Sequence, residues 1–580
     1  MWAVDPKAIL KALRCLKTVT AGATSLVAGM CEEVGLVDVI DEALHWDKAR
    51  WRLSPGRLIE GLVICILSDR KALYRVEEFY EGKDTESLFG KGVRACDFND
   101  DALARALDRL FEAGGNRVLG QVISSALKVH EVSVDAIHFD TTSLSVQGEY
   151  EDQDRPDAIE IVFGHSTDRR PDLKQIKFGV GVTREGVLNY GEVLSGNGSD
   201  KKWNGVTIAR LKDLFPKEVL KDLIYVADSS FVTEGNLEEA AKHEVKFVSR
   251  VPATFAVTSE LIEKAWEEDK WESIGGFSSQ KGAAHYWACE YPHKIAGRDY
   301  RFIVVRSSSM DARKEKSIKK AIERSRKEIE QEARELLSRE FVCKPDAEKA
   351  AELFIRKWRD GFHELSYEVI DETIVGKRPR PGRPRKDEEP PDKRVVYKAN
   401  VRIEGLDEAQ VNRARERESC FVLITNLMDA GKYPPKRILG EYKEQTTVEA
   451  RFSFLKSPYL LGQVFLKKQS RVEALGYVLL MALLLATLLE RRVRRNLKAE
   501  GEPIMIPGKR MAMQPTARMI LEMLDTAQVT HIEYGGKVRR VWHDRRQLFD
   551  LPRLLRLAGF SEDIYVRDQP PQRTEDQQND

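Results

Sequence analysis

Cysteine is scarce and scattered, with seven in 580 residues: Cys15, Cys31, Cys65, Cys96, Cys289, Cys343 and Cys420. The number is odd and no pair is spaced as CxxC, which argues against a disulfide framework and a structural zinc knuckle. HExxH is missing as well. Long apolar runs are nearly absent. The longest, LGYVLLMALLLATLL at 475–489, falls short of the roughly 20 residues that span a bilayer. It reads as a buried core helix with a basic exit at Arg491–Arg495. The first residues, MWAVDPKAILKALRCLK, lack the apolar stretch of a signal peptide, so a cytoplasmic protein without a membrane segment is expected. Excess charge of one sign is missing too. A net charge of +1 neither demands nor excludes a polyanionic partner, so local patches must decide.

What is present is an ordinary globular composition, 42% hydrophobic and 32% charged, in a chain too long for one core. Residues 1–128 read as a helical N-terminal domain, with Ser54 as an N-cap, Pro55 at the first helical position, and Gly114-Gly115 closing an amphipathic run. From 129 to 250 the order is strand, strand, strand, helix, strand, helix, strand. VSVDAIHFDTTSLSV comes first, a hairpin turning at Glu185-Gly186 follows, and LIYVADSS is the fourth strand. Residues 251–434 mix strands with a charged helical stretch, 311–358, read as a solvated helical hairpin. Residues 435–500 are helical, and 501–580 read as a helical region with a polar tail.

Three carboxylates stand out. Asp140 lies inside the first strand of the α/β set, and Asp228 ends the fourth. A carboxylate in an apolar strand costs several kcal/mol to desolvate unless a cation compensates it. Glu449 lies in GEYKEQTTVEARFSFLK, 440–456, read as one helix. Val448, Phe452 and Leu455 form its apolar face, while Tyr442, Glu449 and Lys456 recur every seven residues along one stripe. Two strand aspartates and a helix glutamate make an oxygen-only donor set suited to Mg²⁺ or Mn²⁺. Asp135, a rival for Asp140, points to the other side of the strand because odd offsets flip sides.

The spacing Tyr442-x2-Gln445-x3-Glu449-x6-Lys456 resembles the Tyr-Arg-Glu-Lys signature of bacterial insertion-sequence transposases of the DDE type, with Gln445 in place of the Arg. FDTTSLS and ADSSF are similar to the contexts of that family's two aspartates, and FVLITNL to the strand leading into its glutamate helix. The resemblance implies a ribonuclease H-like α/β core interrupted by an α+β insertion at 251–434. It implies Asp140, Asp228 and Glu449 holding two Mg²⁺ or Mn²⁺ ions, and Tyr442, Gln445 and Lys456 contacting DNA. It further implies cleavage at transposon ends, strand transfer into target DNA, and a homodimer on double-stranded DNA. A nuclease without strand transfer, or a catalytically inactive DNA-binding descendant, are the alternatives.

Weaker features have plainer readings. Arg380-Pro-Gly-Arg-Pro384 is reminiscent of an AT-hook but reads first as a solvated basic loop. Trp266, Trp271 and Trp287 read as packing residues before base-stacking ones. His138 and His165 read as hydrogen-bonded core or loop residues. Arg491–Arg495 reads as a solvated surface, with DNA-backbone contact second.

Overall fold

The computed structural model describes residues 16–69, 71–151, 154–166, 170–215, 217–277, 283–309, 312–376, 392–456, 466–534, 537–545 and 547–568. The AT-hook-like run and the polar tail from 569 lie outside them. The chain divides into two units: residues 1–250, 425–427 and 438–580 in one, 251–424 and 428–437 in the other.

The first unit opens with α1 (Thr24–Glu33), α2 (Pro55–Ser68), α3 (Asp100–Glu112) and α4 (Gly115–Val129). The Ser54 side chain accepts from Arg57 N at 3.1 Å, and Pro55, which has no N–H to leave unpaired, begins α2. Asn99 caps α3 in the same way through Ala102 N.

The mixed sheet follows. Its strands are β1 (Ala136–Val146), β2 (Lys174–Thr183), β3 (Leu188–Ser195), β4 (Ile224–Ala227) and β5 (Lys246–Arg250), in the order β3-β2-β1-β4-β5. The β1–β2 and β2–β3 pairings are antiparallel; β1–β4 and β4–β5 are parallel. Parallel pairs need crossovers, and α5 (Asp200–Leu214) and α6 (Glu234–Lys242) lie on those connections. The β2–β3 turn holds Gly186 at φ +76°, a conformation that side chains beyond glycine rarely take.

The strand-helix order therefore follows the sequence pattern, but 440–456 does not form one helix. It is split into α7 (Pro435–Lys443) and α8 (Thr446–Leu455). Tighter i to i+3 bonds occupy the join: Gln445 N to Tyr442 O at 3.1 Å, Thr447 N to Glu444 O at 2.8 Å and Val448 N to Gln445 O at 3.2 Å. Adjacent Thr446 and Thr447 are weak helix formers, and Gln445 turns inward to the sheet. Val448, Phe452 and Leu455 are buried as their spacing predicts.

Next comes α9 (Gln469–Glu500), which packs on α2, α3, α4 and β3. By length and apolar content it would suffice to cross a bilayer, yet 89% of its apolar window is buried in the fold. The N-terminal helices and the sheet share one hydrophobic core with it. Beyond α9 the sequence reading needs correction. Besides α10 (Ala517–Met523) and a helix at Leu551–Leu557, residues 501–580 contain strands. Ala527–Tyr534 pairs with Lys537–Asp544 and also with Lys17–Thr20 near the other end of the chain. The β-branched and aromatic residues of AQVTHIEY and KVRRVWHD carried the strand signal.

In the second unit, strands Cys420–Thr425, Arg298–Ser307, Tyr286–Ile295 and Glu272–Gly275 lie side by side in that order. His363–Val375 and Lys393–Leu406 form a separate antiparallel ribbon. The charged stretch folds as helices Ala312–Leu337 and Lys344–Lys357. They are not simply solvated, because Leu336 and Ala351 form a small core with Ala399 and Val401 of the ribbon. Trp266 and Trp271 meet at 5.3 Å between ring centroids, and the Arg306 guanidinium lies over both Trp266 and Trp287.

Candidate active site

Backbone register sets the first two carboxylates together. Phe139 of β1 pairs with Ala227 of β4 in the parallel ladder. The next residues along each strand are Asp140 and Asp228, so they leave neighbouring strands side by side. Asp140 accepts from Thr141 N at 2.7 Å. Asp228 caps a short turn, accepting from Ser230 N at 3.0 Å and Ser230 Oγ at 2.6 Å, while Ser249 Oγ of β5 donates to its backbone carbonyl at 2.8 Å. Asp135 precedes β1, is exposed, and accepts from Ser133 Oγ at 2.9 Å.

Glu449 is exposed in the first turn of α8, which packs against β1 and β2. Its charge reaches Asp140. The Asp140 carboxyl is pushed up to about 7, first by burial and then by Asp228, with Asp200 and Glu449 adding to the rise. Asp140, Asp228 and Glu449, remote in sequence, thus lie within one electrostatic neighbourhood.

Asp200 was not singled out from the sequence. It begins α5 and accepts from Thr141 Oγ1 at 2.5 Å, pairing also with the Lys177 ammonium. Its sequence signal was slight: an acidic residue at a helix start after a Gly-rich turn, which usually means capping.

The other predicted residues fall into three situations. Tyr442 is half-buried and hydrogen-bonded to Arg250; burial pushes its phenol up, Arg250 opposes this, and Asp228 and Glu449 add to the rise. Tyr442 therefore belongs to the carboxylate neighbourhood. Lys456 is half-buried at the C-terminal end of α8. Gln445 is the exception. It is 7% exposed and its Nε2 donates to Phe139 O at 2.9 Å. The residue expected to meet DNA has its amide nitrogen committed to the carbonyl beside Asp140, which ties α8 to β1.

His138 is fully buried on β1. Burial and the Arg184 charge push it down to about 4, so it stays neutral near pH 7. Arg184 itself pairs with the buried Glu441 of α7 at 2.8 Å. The basic exit of α9 is also committed internally, since Arg491 pairs with Glu185 at 2.6 Å and Arg492 with Glu33 at 2.8 Å. Solvation or DNA contact is not needed to explain these two.

The transposase DDE domain profile matches residues 135–485, more than half of the chain. The chain belongs to the transposase DDE domain family. It is a DDE-type DNA transposase, as the sequence resemblance implied, and its mixed sheet is consistent with a ribonuclease H-like core. Residues 17–124 match a domain of unknown function (DUF4277). A search of curated proteins returns no match. Among solved structures, the piggyBac transposase synaptic complex with hairpin DNA aligns at 9% identity and a TM-score of 0.36, covering 87% of this chain and 79% of that one. A likeness so distant carries no argument about this transposase.

Divalent metal ions are the general cofactors of the family. Among the described residues no three His, Cys, Asp or Glu side chains are gathered closely enough to hold an ion as they stand. The chemistry of the donor set nevertheless fits one. All the predicted ligands are carboxylates, and the like charges around Asp140 are what a hard dication would neutralise.

Proposed function

We propose that Asp140, Asp228 and Glu449 are the metal-holding carboxylates of this transposase, and that it cleaves transposon ends and joins the freed 3′-hydroxyls to target DNA. The observation carrying this reading is the electrostatic convergence on Asp140, whose carboxyl is held near 7 by burial and by the charges of Asp228, Asp200 and Glu449. Such a cluster is costly unless a cation joins it. Mg²⁺ or Mn²⁺, two ions per site, bound by these carboxylates would supply Lewis acidity toward the scissile phosphate and lower the pKa of the attacking hydroxyl.

The chain's own residues would do the positioning. Tyr442, backed by Arg250, and Lys456 would hold backbone phosphates near the cut without reading bases. Gln445 would act from behind, fixing the register of α8 against β1 through the Phe139 carbonyl. In the finer architecture, the second unit is an α+β insertion within a ribonuclease H-like core. The partners are the terminal inverted repeats, the target duplex and a second protomer on DNA. The N-terminal helices would recognise ends or join protomers. They share their core with α9, so footprinting the full-length protein on its ends tests this better than truncation. Equal protection by protein carrying surface substitutions throughout 16–128 would refute it.

The decisive experiment replaces each of Asp140, Asp228 and Glu449 by Ala. Each variant is expected to lose Mg²⁺-dependent strand cleavage while still binding the ends. Cleavage retained by any one removes that residue from the site.

A further inference from the structure

A cavity of about 360 Å³ lies beside α8, bounded by α9 and the start of α10. It borders Arg451, Arg494 and Arg518 but a single carboxylate, Glu490. Glu490 and Arg451 have side chains only 4% and 8% exposed. Both guanidinium groups reach the same oxygen, Glu490 Oε1, Arg451 at 2.9 Å and Arg494 at 2.8 Å. The other oxygen, Oε2, accepts from Ala517 N at 2.9 Å. One negative charge therefore serves two buried or half-buried cations, and both of its oxygens are already engaged.

Arg451 Nε is buried without a hydrogen-bond partner. Burial pushes the Arg494 guanidinium down, and the Arg451 charge adds to this against Glu490. The first is a buried donor without an acceptor; the second reflects two cations sharing one carboxylate, although Arg494 Nε is satisfied by Pro515 O at 2.9 Å. Exposed Ser453 and Arg518 stand among the bordering residues, and Phe454 and Leu483 supply apolar wall. The volume is in the range of small-ligand sites.

We propose that this cavity is a phosphate-binding subsite that takes a backbone phosphate and its sugar from the DNA engaged at Glu449. Two guanidinium groups suit phosphate oxygens, and the apolar wall suits the sugar. The assignment rests on the reading that DNA crosses α8 at the carboxylate cluster. The same chemistry would accept free phosphate, so the test separates the two sources.

Three variants are compared with the wild type: Ser453→Glu, which adds a competing carboxylate, Ser453→Gln, its neutral control, and Arg518→Gln. Binding to a duplex bearing the repeats that border the gene is measured across salt concentrations, with melting temperatures checking the fold. Loss of one phosphate contact lowers the slope of log K against log salt by about 0.9. That decrease is expected in Ser453→Glu and Arg518→Gln and not in Ser453→Gln. In parallel, inorganic phosphate is titrated against the melting temperature without DNA. Equal slopes, with phosphate protecting the wild type but not Ser453→Glu, overturn the DNA source in favour of a mobile phosphate. Equal slopes without phosphate protection overturn the site. A wild type that binds no ends sinks the functional reading, while the phosphate titration still tests the cavity.

Discussion

Around Asp140, the charges of Asp228, Asp200 and Glu449 act on one carboxyl; around Arg451, two residues beyond Glu449 along α8, guanidinium groups outnumber carboxylates. The N-terminal helices offer a third arrangement for contrast. There the buried Glu60 accepts from Arg57 at 2.7 Å, and nearby Glu32 is itself paired with Arg567, so anions and cations are matched, although burial still raises the Glu60 carboxyl to about 7. A balanced pair such as Arg57–Glu60 is explained by the fold alone. Unequal ones are not, because each buried ion costs several kcal/mol unless neutralised. On the readings proposed above, the sign of the imbalance would name the missing ligand: a cation at Asp140, an anion at Arg451.

The comparison breaks most visibly at Glu490. Replacing it by Gln would leave two guanidinium groups facing each other without their shared counter-charge. A loss of about 3–5 kcal/mol in unfolding free energy is expected, the cost of orphaning a buried ion. Denaturant titration measures it. A loss below about 1 kcal/mol would mean that solvent already screens the pair, as for surface ion pairs, and the basic cavity would lose its claim to unbalanced charge.

Gln445 is the next test, since it joins the acidic corner to α8. Gln445→Ala strips the Phe139 carbonyl of its buried donor, and a destabilisation of about 1–3 kcal/mol is expected. Gln445→Arg, which restores the residue of the resembled signature, would place a cation beside buried His138 and within the field of Arg184. It should lower stability at least as much and weaken cleavage. If Gln445→Arg instead tightens DNA binding at unchanged stability, the side chain reaches the DNA face and its positioning role is refuted.

These cases show where the sequence was readable. That Asp140 and Asp228 are borne by strands was legible in their apolar contexts, but that they sit on neighbouring strands needed the parallel β1–β4 ladder. Ser54 and Pro55 marked a helix start through local chemistry alone. Local periodicity could not see Gln445 reaching 306 residues back to Phe139, and that tie accompanies the break between α7 and α8. It was equally blind to Arg451 and Arg494 meeting on Glu490. Their spacing in the chain is that of unrelated surface charges, and only the packing of α8 on α9 makes them one cluster. Asp200 was hidden for a different reason: its position has a sufficient explanation as a helix-start acid.

The smallest effect expected is also the most direct probe of the acidic corner. The Asp140 carboxyl rises from 3.8 to about 7 on folding. Well below pH 3.8 both folded and unfolded chains hold the proton, so the group contributes no pH dependence there. Between about 4 and 7 the folded chain keeps a proton that the unfolded chain has released, so wild-type stability falls as pH rises. Asp140→Asn removes that fall. Its advantage over the wild type should be near zero at pH 4 and grow to about 1 kcal/mol by pH 8, the full shift being discounted because the side chain keeps some solvent contact. The measurement is a pair of thermal unfolding series in chelator. Adding Mg²⁺ at pH 8 should then raise the melting temperature of the wild type and leave Asp140→Asn unmoved, since a dication offsets the repulsion only where the repulsion exists. Parallel pH profiles for the two proteins would mean that Asp140 does not feel its neighbours, and the acidic cluster would be reduced to separate surface carboxylates.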